Sequence, residues 1–146
     1  MTETAQLEPL SPGRRRAFTA INSSSAPLFL AMILIPRSRL TRRLVEAAMP
    51  LHAVIGVSYG ALLGSGLLKA RTLIDFRDPE QLRRVLAEQD VFLAGWAHYI
   101  SFDLFVGQWI WRDAVAAGRG ARVALVLTWL AGPLGLTTYL LQRRFR

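Results

Sequence analysis

The stretch Trp96–Asp113, WAHYISFDLFVGQWIWRD, decides how this chain is read. It lies in a segment long and apolar enough to cross a bilayer, yet it carries His98 and Asp103. Ionisable side chains are expensive in hydrocarbon and are retained there for function or for a specific partner. Trp96, Trp109 and Trp111 cluster near its two ends, where indole rings favour the membrane–water interface.

Composition supports a membrane reading. The chain is 52% hydrophobic and only 19% charged, and its apolar residues are gathered into blocks. There is no cysteine, which excludes a disulfide framework, a thiolate metal site and a thiol nucleophile. The net charge of +8 is almost entirely arginine placed between the apolar blocks. That pattern anchors helix ends at anionic headgroups. No basic face with groove-reading or stacking elements points to nucleic acid.

The blocks predict an all-α, polytopic membrane protein, a small bundle of four transmembrane helices in a domain of residues 17–142. The spans are about 18–35, 51–68, 91–111 and 122–141, each near the ~20 residues a bilayer requires. Residues 1–16 read as a disordered polar tail. Arg14-Arg15-Arg16 could open a signal peptide, but no small-x-small cleavage pattern follows the first apolar run, so that run reads as a retained anchor.

Asn22 and Ser23 to Ser25 in the first span must face other helices or water, and Pro27 marks a kink. The basic connector 36–50 has Leu40, Leu44 and Val45 spaced for a short amphipathic surface helix. Pro50 suits the first turn of the second span. There Gly56, Gly60 and Gly64 form two overlapping G-x-x-x-G steps, expected to be the main packing seam, toward this chain or another subunit in a homo-oligomer. Asp78-Pro79 predicts a capped surface helix over 81–88. Gly132-Pro133 interrupts the fourth span, and Gly135 offers a further close approach. An even number of spans puts both termini on one side. Eleven Lys and Arg on that side against seven on the other favour the cytoplasm, as in a bacterial inner membrane.

Helices two and three should be antiparallel, which separates His52 from His98 by much of the membrane and argues against a two-histidine metal site. His52 is expected near Arg112 and Asp113 as interface anchoring. His98 and Asp103 project roughly 140° apart on a helix and do not pair directly. Trp96, Tyr99 and Asp103 share one stripe at i, i+3 and i+7. Aromatics around a carboxylic acid suit an elongated, unsaturated, apolar ligand, and a buried carboxyl can stay neutral and act as an acid. The plainer reading is that Asp103 bonds a Ser or Thr of a neighbouring helix and fixes packing. Di-iron oxygenase, phosphate-loop and nucleophile-elbow chemistries lack their residues. Neither metal nor cofactor is expected.

Trp96-Ala97-His98-Tyr99, Phe102-Asp103-Leu104-Phe105-Val106-Gly107, Trp109 and Asp113 resemble the abscisic-acid-deficient-4-like family of plant neoxanthin synthases. Pro36, Pro50-Leu51, Tyr59-Gly60, Gly132-Pro133-Leu134-Gly135-Leu136 and Tyr139 fit the same family, over about residues 18 to 141. The resemblance implies a four-helix membrane protein of carotenoid metabolism. In plants it implies opening the epoxide of violaxanthin to the allenic alcohol neoxanthin, with no net redox change. Such a reaction needs an acid at the epoxide oxygen and a base at a polyene hydrogen. Asp103 as acid and His98 as base, with Trp96, Tyr99, Phe102, Asn22 and Tyr59 around the ligand, form the expected site. The composition, rich in arginine and alanine, points to a bacterium, so the plant substrate is not carried over. Two readings stand: a cofactor-free carotenoid or isoprenoid isomerase, and a non-catalytic membrane protein that binds pigment or a partner helix.

Overall fold

The computed structural model describes residues 8–70, 75 and 77–145, and every regular element among them is a helix. The first seven residues of the expected tail lie outside the described residues. The rest of that tail is not all irregular. Helix α1, Pro12–Ser24, starts well before residue 18, because Ser11 accepts the Arg14 N–H and Pro12 occupies the first turn. Helix α2, Ala26–Leu34, follows after a break at Ser25, next to Pro27. By length and apolarity two stretches can cross a membrane, Pro12–Leu34 and Arg39–Lys69, each with a mean hydropathy of 1.5.

Helix α3, Arg39–Glu46, is the amphipathic connector expected from the leucine spacing. Ser38 caps it, and the buried Thr41 hydroxyl donates to the Ile35 carbonyl at 2.8 Å, folding α3 under the end of α2. Helix α4 is Met49–Ala70, with Pro50 in its first turn as expected. Helix α5, Pro79–Leu86, is capped by the Asp78 carboxylate, which accepts the N–H groups of Glu80 and Gln81 at 3.0 and 3.1 Å.

Helix α6, Gln89–Ala116, is the axis of the fold. Its 28 residues make a rod of about 42 Å. Helices α1 and α2 run parallel to it: Arg14 meets Asp90, Asn22 meets Trp96, and the Phe29 ring lies against Gly107. Helix α4 runs antiparallel: His52 meets Gln108, Tyr59 meets His98, and Ser65 meets Asp90. The main apolar core joins Phe29 and Met32 of α2 to Leu104 and Ile110 of α6 and to Leu125 and Tyr139 beyond.

The last stretch departs from expectation. Residues 122–141 are not one continuous helix. Helix α7, Arg122–Ala131, ends at Gly132, and helix α8, Pro133–Arg144, turns back along it. Pro133 cannot donate to the Trp129 carbonyl, so the ladder breaks there. Gly132 takes a φ of +22°, a conformation that side chains disfavour, and so reverses the chain. Gly135 then lies directly on Thr128 and Ala124 of α7. The Tyr139 hydroxyl reaches Asp113 at 2.5 Å, and Arg143 stands 3.7 Å from the same carboxylate. Arg14 and Arg143 are thus at opposite ends of α6, by Asp90 and Asp113, about 35 Å apart along the helix. Among the described residues the two ends of the chain therefore lie at opposite ends of α6, because the final segment folds back on itself.

Within this chain the expected glycine seam carries no helix packing. Cβ atoms added at Gly56, Gly60 or Gly64 would meet nothing within 4 Å, so these residues line an open face of α4. The close approach to α6 is made at Gly66, where a Cβ would come 3.1 Å from the Val91 backbone nitrogen. G-x-x-x-G spacing marks a smooth face but does not say what covers it.

Candidate functional site

A cleft of about 630 Å³ opens between α1, α6 and the turn joining α7 to α8. Trp96, Tyr99 and Asp103 line one wall, as their i, i+3, i+7 spacing requires. Asn22 lines the other, its side-chain oxygen accepting the Trp96 indole N–H at 3.2 Å. Trp129, Gly132 and Pro133 form the roof. Trp129 is held by stacking on the buried Phe29, ring centroids 5.8 Å apart.

Asp103 is the one carboxyl group among the described residues that line the cleft. It is half-buried, and its carboxylate rests on Gly132 so closely that a Cβ there would overlap it. Gly132 is therefore glycine for two reasons, its φ and the carboxylate above it. Among the described residues no hydrogen-bond donor or cation partners Asp103. The plainer expectation, a Ser or Thr fixing this carboxylate, is not what the helices supply: Thr128 on α7 donates instead to the Ala124 carbonyl at 2.8 Å.

The structure divides the expected site in two. His98 does not line the cleft. It is exposed on the neighbouring face of α6, stacked on Phe102 with centroids 4.5 Å apart and 5.8 Å from the Tyr59 ring. Phe102 and Tyr59 belong with His98, while Trp96, Tyr99 and Asn22 belong with Asp103. The ~140° between positions five apart on a helix is the cause. His98 is thus not placed to act as the base in a reaction at Asp103.

Three polar clusters were not anticipated. His52 is bonded through Nε2 to the Gln108 side-chain nitrogen at 2.8 Å, with Gln108 5% exposed. Asp113, expected beside His52, turns instead to Tyr139, Arg119 and Arg143. At the other end of α6, Asp90 accepts from Arg14 Nε at 2.5 Å, Arg14 Nη2 at 3.0 Å, Ser65 at 3.1 Å and Lys69. The Arg14 hydrogen bonds hold the Asp90 carboxyl well below the usual carboxylate range, against the opposing effect of burial. Sequence reading placed Arg14 only as flanking charge. A partner 76 residues away leaves no local signal.

Comparison with known proteins places the chain. The sequence model of a family described as ABA DEFICIENT 4-like matches residues 16–139. Protein ABA DEFICIENT 4, chloroplastic, from Arabidopsis thaliana is 20% identical over 132 residues, covering 86% of this chain and 60% of that protein. The chain thus spans about three-fifths of that relative's length. No solved structure matches.

Proposed function

Since the chain belongs to the ABA DEFICIENT 4-like family, we propose that it is an integral membrane protein that binds a carotenoid or related isoprenoid in the Asp103 cleft and isomerises it there by acid–base chemistry. The observation that carries this reading is a carboxyl group in an aromatic-walled cleft, without a partner among the described residues. In this reading α1–α2, α4 and α6 cross the bilayer of a bacterial inner membrane, and α7–α8 enters as a hairpin and returns.

A ring-bearing end of the ligand enters past Tyr99, 64% exposed at the rim, and lies between Trp96 and Trp129. Neutral Asp103 gives its proton to an epoxide oxygen as the C–O bond breaks. The carboxylate so formed takes a proton from a neighbouring carbon while the double bonds rearrange. One O–H bond forms, one C–H bond is lost, and Asp103 ends as it began. One carboxyl serves in turn as acid and base, so His98 is not needed.

The test is expression in cells that make defined carotenoids, followed by chromatography of the pigments and an absorption spectrum of the purified protein. The expected result is an altered pigment profile that Asp103→Asn abolishes while pigment still co-purifies. A colourless protein and unchanged pigments across several carotenoid backgrounds would overturn the proposal.

The open face at Gly56, Gly60 and Gly64 favours a second reading, a non-catalytic membrane component that docks a partner helix or a second copy of itself there. It requires Gly60→Leu to disrupt assembly and Asp103→Asn to leave pigments unchanged.

A further inference from the structure

A second cavity, of about 600 Å³, lies at the Asp113 end of α6, away from Asp103. Its floor is apolar, with Met32, Ile35, Trp111 and Leu125. Its walls carry Arg37, Arg119 and Arg122. An adjoining smaller cavity adds Arg42, and no acidic residue lines either one. The Arg37 guanidinium donates to the Gly118 carbonyl at 2.9 Å, which fixes it across the loop before α7. Arg119 has one nitrogen 3.8 Å from Asp113, but its buried Nε has no hydrogen-bond partner. The side chains of Arg42 and Arg122 have no partner among the described residues.

Backbone groups add to this. Helix α7 begins at the cavity with no side-chain cap and no acidic residue in its first turn, so its leading N–H groups and the positive end of its dipole are uncompensated. The surrounding segments, 36–50, 112–122 and 143–145, hold nine arginines and two acids. A buried donor left unpaired costs free energy and persists where a ligand completes it.

We propose that this cavity binds an anionic glycerophospholipid. Its phosphate lies among Arg37, Arg119, Arg122 and the first turn of α7, and the upper part of one acyl chain lies on Ile35, Met32 and Leu125. Guanidinium groups grip phosphate oxygens in pairs, and uncapped helix starts favour the same charge. The apolar floor selects a lipid over a free anion.

Native mass spectrometry of the purified protein tests this with added dioleoylphosphatidylglycerol, dioleoylphosphatidylcholine or inorganic phosphate. Wild-type protein should retain one phosphatidylglycerol at least tenfold more tightly than phosphatidylcholine. Arg122→Gln, which removes an exposed and unpaired side chain, should cut that preference severalfold. Ile35→Trp should block the acyl part and weaken both lipids. Arg83→Gln/Arg84→Gln, at the other end of the molecule, should change nothing. Equal retention of the two lipids, or an Arg122→Gln protein indistinguishable from wild type, would overturn the proposal. Inorganic phosphate bound as tightly as phosphatidylglycerol would also overturn it, in favour of a free anion. None of these readings depends on pigment chemistry at Asp103.

Discussion

Helix α6 carries an aspartate buried in donors and an aspartate with none. Asp90 is 4% exposed and held by Arg14, Lys69 and Ser65, which tie α1 and α4 to the start of α6. Asp103, thirteen residues on, faces a cleft of tryptophan and tyrosine, with no hydrogen bond to any of the described residues. A carboxylate whose lone pairs are all occupied holds helices together. One left free is available to something that comes and goes. The difference teaches where to look on this helix: residue type alone does not separate the two, but the inventory of partners does.

Exchanging the charge at each site breaks or sharpens that contrast. Asp103→Asn should lower pigment conversion by about a hundredfold or more, the usual scale for losing a general acid, and move the detergent unfolding midpoint little. Product analysis alongside thermal melts reads both. Asp90→Asn should do the reverse and lower the unfolding midpoint clearly, because Arg14 and Lys69 lose the anion that ties α1 and α4 to α6. An Asp90 variant as stable as wild type would erase the distinction.

The same cluster predicts a pH dependence. The folded Asp90 carboxyl is held below its unfolded value of 3.8. Its contribution is therefore complete above the unfolded pKa and is lost as the pH falls through the folded one. Melting temperature should decline more steeply in acid below about pH 4 for wild type than for Asp90→Asn.

Glycines give the smaller effects. Gly132→Ala should cost about 2 kcal/mol, since it strains the positive φ, and should displace Asp103 and reduce conversion with it. Gly56→Ala, on the open face, should be neutral or stabilising by up to about 1 kcal/mol. A strong loss at Gly56 would instead show that this face is covered in the working protein.

Much of this was legible in the chain. Helical period alone set Trp96, Tyr99 and Asp103 on one wall, and the serine-rich stretch of α1 identified Asn22 as the facing polar group. Asp78-Pro79 and Pro50 marked helix starts as capping chemistry requires. Hidden were the features that depend on distant partners. Arg14 finds Asp90 and Tyr139 finds Asp113 only once the helices are assembled. Gly132-Pro133 announced a break but not its angle, so a hairpin read as a kinked span, and the Trp129 roof went unseen with it. His98 and Asp103 were paired by chemistry although their helical spacing already set them on different faces.

The hairpin has a consequence for how the protein is made. Before α7 and α8 dock, Asp103 lies on an open flank of α6 and the cleft does not yet exist. It comes into being when the chain has turned at Gly132 and carried Tyr139 back to Asp113. The contact that closes the hairpin therefore also closes the cleft. A chain in which α7 and α8 have not yet docked displays the carboxyl without the cleft around it.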